Sequence, residues 1–192
     1  MSADATLRTP LLTLEPFGPK HLGQRYVSWL NDPEVVRHSE QRHRAHSLES
    51  CRAYAESFAG SPSGLWAMLT RQGGHVGNVT ATVDAPNAVA ELGILIGERG
   101  HWGRDLATQA WTALADHLFR ARGLRKIEAG AMEENAAMLR VAHKLGMTPD
   151  GRRARRFVLD GREVDAVFFA LFREDWLARH PLPPYGPNGE ER

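Results

Sequence analysis

Cysteine is nearly absent from this chain: Cys51 stands alone among 192 residues. No disulfide can form within the chain, no paired-thiolate metal site is available, and a reducing cytoplasm is the expected location. An excess of one charge is also missing. Lys and Arg number 24 against 23 Asp and Glu, which leaves no global field for a nucleic acid or an anionic membrane, so neither is an expected partner. No apolar run has the length needed to cross a bilayer, and neither a membrane span nor a signal peptide is expected. Histidine is plentiful, and His38, His43 and His46 lie close together, yet there is no HExxH pair. No metal is therefore expected. Internal repeats and low-complexity blocks are lacking too. At this length one domain is the natural prior, taken here as residues 1–176, with a Pro- and Gly-rich tail over 177–192 expected to be poorly ordered.

What is present is an alternation of strand and helix patterns. Leu11 to Glu15 alternates as a strand, and Leu22, Tyr26, Trp29 and Leu30 share one helical face that Asp32-Pro33 interrupts. Ser47 opens a second amphipathic helix through Leu48, Cys51, Tyr54, Ala55 and Phe58. Leu65 to Thr70 and His75 to Val83 read as a hairpin about Gly73-Gly74. A third helix is expected from Leu106 to Arg122, stopped by Gly123, then a strand from Leu124 to Met132 and a fourth helix opening at Asn135. Arg155 to Leu159 and Val164 to Phe172 form a last hairpin turning at Asp160-Gly161.

The densest information lies in Glu91 to Trp111, ELGILIGERGHWGRDLATQAW. An apolar run ends at Ile96, a loop carries Gly97, Gly100 and Gly103, and a helical pattern begins near Leu106. Strand, glycine loop and helix start make an anion site, because unpaired N–H groups converge where the helix dipole is positive. Alone, an ordinary strand-to-helix turn explains those glycines equally well. Thirty-two residues after Gly103 comes Asn135, in the second stretch ENAAMLRVAHKLGM, with Glu134, Lys144, Leu145 and Gly146. The first stretch resembles motif A of the GNAT acetyltransferases, WGRDLATQA standing close to WGxGxATEA. The second is similar to the family's ENxxSxxxxxKLGF helix. The WGxGxATEA form is common in the branch that includes the ribosomal-protein N-terminal (Rim-type) and amino-sugar acetyltransferases, which this chain resembles.

The resemblance implies an α/β GNAT fold, a mixed central sheet of about seven strands flanked by about four helices. It implies acetyl-CoA as acetyl donor and a small-molecule amine as acceptor; a homodimer is compatible with it. Coenzyme contacts are implied for the backbone of Leu95 and Ile96, and for His101, Trp102, Gly103, Arg104, Asp105, Leu106, Ala107, Thr108 and Asn135. Asn135 also suits a helix cap, and Trp102 suits packing. Asp105 departs from the usual Gly or Ala; as a bland alternative it caps the helix with its side chain turned from the phosphates. Glu91 occupies a position that carries a base in several members, although a solvated strand-end charge is the rival reading. Ala142 stands where many members have a tyrosine acid, and Ala142 cannot serve. The cationic stretch from Arg37 to Arg44, with Arg42 between them, borders the expected acceptor pocket, as does Arg152 to Arg156 if the last hairpin folds over it. Arginine forks suit anionic oxygens, which favours an amino-sugar nucleotide over a cationic protein N-terminus. A non-catalytic acyl-CoA-binding module is the alternative from another class.

Overall fold

Residues 5–191 are described by the computed structural model. Along the chain come β1 (Leu7–Arg8), β2 (Leu12–Pro16), α1 (Gln24–Leu30), α2 (Pro33–Val36), α3 (Leu48–Glu56), β3 (Gly64–Thr70), β4 (His75–Asp84) and β5 (Val89–Ile96). Then follow α4 (Leu106–Asp116), β6 (Lys126–Met132), α5 (Ala136–Lys144), β7 (Thr148–Leu159), β8 (Arg162–Phe172) and α6 (Arg173–Arg179). Local chemistry accounts for several boundaries. The Asp32 carboxylate accepts from the Glu34 N–H with Pro33 in the first helical position, which ends α1 and restarts the chain as α2. Ser47 and Ser50 cap α3 reciprocally. Asp160 and Gly161 both have positive φ, as a two-residue hairpin turn requires.

Eight strands form one sheet in the order β1-β2-β3-β4-β5-β6-β8-β7. Every adjacent pair is antiparallel except β5 and β6, which run parallel and pair only over Val89–Glu91 with Lys126–Glu128. Beyond Glu91, β5 stays with β4 as far as Ile96, while β6 stays with β8 as far as Met132. The sheet therefore splits into two halves that diverge at the centre. On one face, Trp111 and Leu114 of α4, Val141 of α5 and Leu145 at its C-terminal end join Ala90 and Leu92 of β5 in the main core. On the other, Tyr26 and Trp29 of α1, Val36 of α2 and Cys51 of α3 form a second cluster with Leu95 against it.

The expected mixed GNAT sheet is observed, with eight strands and six α-helices among the described residues. The extra elements are small: two-residue β1, one-turn α2, and α6. The last of these corrects the proposed boundary at 176. Trp176 lies inside α6 at 1% exposure, its indole N–H 3.0 Å from Asp116 Oδ1 and its ring against Phe119 and His180. The tail also folds back. Tyr185 packs on the main core, the Gly186 N–H donates to the Glu190 carbonyl at 2.8 Å, and Gly189 sits against the Thr9 backbone. Proline limits the freedom an unfolded chain can lose, which lowers the cost of ordering such a segment.

Candidate functional site

The divergence of β5 from β6 leaves backbone groups without strand partners. The Gly97 N–H reaches the Val76 carbonyl at 2.9 Å, which makes Gly77 and Ile96 a non-hydrogen-bonded pair of the β4–β5 ladder. Alternation then gives Leu95 to Asn78 as a hydrogen-bonded pair and turns the backbone groups of Ile94 and Ile96 toward the opening. This corrects one expectation: the Leu95 backbone is committed to β4, and Ile94 takes its place at the free edge. Of the Ile96 groups, the carbonyl already accepts from the Trp102 indole at 2.8 Å, so Trp102 braces the strand end and the N–H remains.

The loop after β5 leads to the start of α4. Gly97 is demanded by packing, because a Cβ there would fall inside the Trp29 indole. Trp29 is held by its Nε1–H to Glu98 at 3.2 Å, and Glu98 by Arg25 at 2.9 Å. Gly103, by contrast, has φ +72 and open space about its missing Cβ; there the backbone conformation selects glycine. Asp105 also has positive φ, 62°, and makes no side-chain cap. Its carboxylate pairs with Lys144 of α5 at 2.6 Å, so the expected helix cap is replaced by an ion pair that neutralises the carboxylate. The first N–H groups of α4 are left facing the cleft.

The cleft widens into a cavity of about 1040 Å³, enough for an extended thioester arm and an acceptor together. Leu95, Ile96, His101, Trp102, Gly103 and Asp105 line it, as do Leu106, Ala107, Thr108 and Asn135, whose Oδ1 caps α5 on Met138. Arg104 is exposed and is not among the residues that line it. Of the three arginines assigned to the acceptor, Arg37 lines the cavity and is paired with Asp160 at 2.6 Å, while Arg44 lines it with no ion-pair partner among the described residues. Arg42 is withdrawn: it binds Glu40 at 2.8 Å, the Ser39 carbonyl at 2.8 Å and the Val158 carbonyl at 3.2 Å. It ties the α2–α3 connection to the β7–β8 hairpin. The second basic run lies elsewhere, with Arg152 held by Glu133 and Asp165.

Glu91 is not brought into the cavity. It is exposed, lies between Thr82 and Glu128 where β5 and β6 are still paired, and precedes by two residues the first wall residue of β5, Gly93. Ala142 is buried in the core and His143 is exposed, so neither reaches the chemistry. Three histidines line the cavity, His38, His46 and His101; burial, and then the Arg37 guanidinium, hold His38 below the usual histidine range. Burial raises the thiol of Cys51 and the phenols of Tyr26 and Tyr54, all in the cavity wall. Sequence reasoning gave His38 no proton-transfer role, and it missed Asn78 and Thr80 on the cavity face of β4. Their signal was legible: polar residues at every second position, Asn78, Thr80 and Thr82, alternate with small and apolar ones in GNVTATV.

Residues 12–148 match the family model described as Acetyltransferase (GNAT) domain. The chain belongs to the GNAT acetyltransferase family. It is 30% identical over 94 residues to an uncharacterized N-acetyltransferase, p20, of Bacillus licheniformis, a match covering 49% of this chain and 52% of that protein. The chain spans about half the length of the curated relatives it matches. Spermidine N-acetyltransferase of Vibrio cholerae, solved with CoA and spermine, superposes with a TM-score of 0.77 at 19% identity over 86% of this chain and 98% of that one. Mycobacterium smegmatis RimJ, solved with CoA-disulfide, gives 0.73 at 20% identity over 89% and 87%. At those identities the likeness is one of fold.

Proposed function

We propose that this chain is an acetyl-CoA-dependent N-acetyltransferase acting by direct transfer on a small primary amine that carries an anionic group, an amino-sugar nucleotide being the class that fits. The observation behind this reading is the split between β5 and β6, whose free Ile94 and Ile96 groups lead to the bare N-terminus of α4 on one side and the cavity on the other. Those features suit coenzyme A: an amide-bearing arm can add to a strand edge, and a pyrophosphate can accept from the N–H groups of residues 103–108. Neutralisation of Asp105 by Lys144 removes the obvious electrostatic objection. When bound, the coenzyme supplies the acetyl thioester.

The residues around it hold and deprotonate the acceptor. An attacking amine must be neutral, and His38, kept unprotonated at neutral pH, lines the cavity and can take the proton. A covalent acyl-enzyme is disfavoured because the Cys51 thiol is buried and its pKa raised, which leaves little thiolate. Transfer then rests on proximity and orientation. Arg44, with Arg140 also in the wall, supports the anionic group. A polyamine acceptor is the second reading. The spermine held by the V. cholerae enzyme and the carboxylates of Glu34 and Glu134 in this wall favour it. The test is thiol release from acetyl-CoA over amino-sugar nucleotides, spermidine and N-terminal peptides. Turnover of the nucleotides, weakened tenfold or more by Arg44→Ala, supports the first reading. Turnover of spermidine alone transfers the assignment to the second.

A further inference from the structure

Asn78 is 4% exposed, lies in the cavity wall, and its Nδ2 has no hydrogen-bond partner. A buried donor left unpaired is costly and rare, and it points to something absent from the protein itself. The orientation of this amide follows from its neighbour. His75 Nε2 lies 2.9 Å from Asn78 Oδ1 and 3.1 Å from the Gly77 carbonyl. Burial keeps His75 neutral near pH 7, and a nitrogen between two oxygens must carry the ring's one proton. With the amide reversed, a bare Nε2 would face the Gly77 carbonyl lone pair to lone pair. The Asn78 oxygen is thus occupied, which leaves the NH2, itself closed to solvent, as the unpaired group of a cavity-wall residue. His75 is itself clamped by the rings of Trp29, Phe17 and His21 at 4.9, 6.2 and 5.4 Å, so the amide is pre-set.

Position on the sheet identifies what this donor meets. β4 is separated from the split by the whole width of β5, so a ligand atom above Asn78 belongs to the acceptor side rather than to an arm lying along the free β5 edge. Thr80, two residues on, presents its hydroxyl on the same face opposite Gly93. A Cβ at Gly93 would approach Thr80 Oγ1 to 2.6 Å, so glycine there keeps the passage from this floor to the split clear. We propose that Asn78 Nδ2, with Thr80 beside it, forms a subsite for a carbonyl or carboxylate oxygen carried close to the amine of the acceptor. An NH2 group cannot receive a hydrogen bond from an ammonium, so Asn78 favours an amine that carries a carbonyl over a plain polyamine. This rests on the reading that the cavity receives the acceptor.

The experiment uses two probes that differ by one carbonyl, alaninamide and 1,2-diaminopropane, with saturation-transfer NMR on the CoA-loaded protein. The parent is expected to hold alaninamide at least fivefold more tightly. Asn78→Asp keeps the shape and the His75 bond but exchanges the donor for an acceptor; the preference should vanish or invert, with CoA affinity by calorimetry unchanged. Thr80→Val is expected to lower the preference severalfold, and it serves alone should Asn78→Asp not fold. A parent that binds neither probe or prefers the diamine overturns the subsite. So does a folded Asn78→Asp that keeps its preference within twofold, or one that loses CoA instead. A parent that fails to bind CoA refutes acetyl transfer, while the two probes, applied to the protein alone, still report on Asn78.

Discussion

His38 and Glu91 divide the question of the base between a residue in the cavity and one outside it. Glu91 shares the β5 face of Gly93 but sits in the closed part of the sheet, whereas His38 lines the cavity with its proton affinity lowered. His38→Gln should lower kcat by roughly 10²-fold, a usual loss for a general base, and Glu91→Gln should leave it within threefold. The sign of the pH effect follows from the direction of the shift. A base of depressed pKa works above that value and is lost as pH falls below it, so the parent's acid limb should lie below pH ~6.5 and vanish in the His38 variant. Equal rates for the parent and His38→Gln across pH would return the role to Glu91 or to solvent. Asp105 shows what residue-level reading cannot reach. Its type departs visibly from the family pattern, but its partner Lys144 is 39 positions away and meets it only because α5 packs beside α4.

At the scale of elements, α1 is fixed to the end of β5 by the Trp29 indole lying where a Gly97 side chain would be. Gly97→Ala should therefore cost about 1–3 kcal/mol, the usual range for overpacking, seen as a lower melting temperature in a folded protein. An unchanged melting temperature would mean that α1 shifts freely and does not brace the strand. The sequence had placed Gly97 in a phosphate loop, and only the fold separates it from Gly103. Element type was legible wherever periodicity was strong: α3, α4 and α5 begin where expected, although α4 gives way to a π-helical segment over His117–Ala121 and β7 begins at Thr148, ahead of Arg155. The β5–β6 opening was not legible locally, since nothing in Leu92 to Ile96 says that its neighbour departs. The arginine cluster misled for a related reason. Arg37, Arg42 and Arg44 are neighbours in sequence, yet one is a tether, one is ion-paired and one is uncommitted, because charge in a connection is assigned by the elements folded over it.

For the whole molecule, three buried or half-buried histidines on different elements, His21, His75 and His117, are all pushed below the ordinary value, by burial first. The unfolded chain takes up protons near pH 6.5 that the fold refuses until lower pH. Their contribution to stability is thus fully present above that value and is lost as pH falls through the window beneath it. Thermal melts at pH 7.5 and 5.5 should show a clear drop at the lower pH, and coincident melts would contradict neutral burial. The central claim, that the split sheet and the start of α4 together hold coenzyme A, is tested most directly by titration calorimetry of CoA into the parent and Gly103→Val. A β-branched residue at φ +72 must strain or move the loop. The account predicts saturable one-site binding to the parent, weakened more than tenfold in a variant whose melt still shows a cooperative fold. Equal affinity in the folded variant, or no binding to the parent, would contradict it.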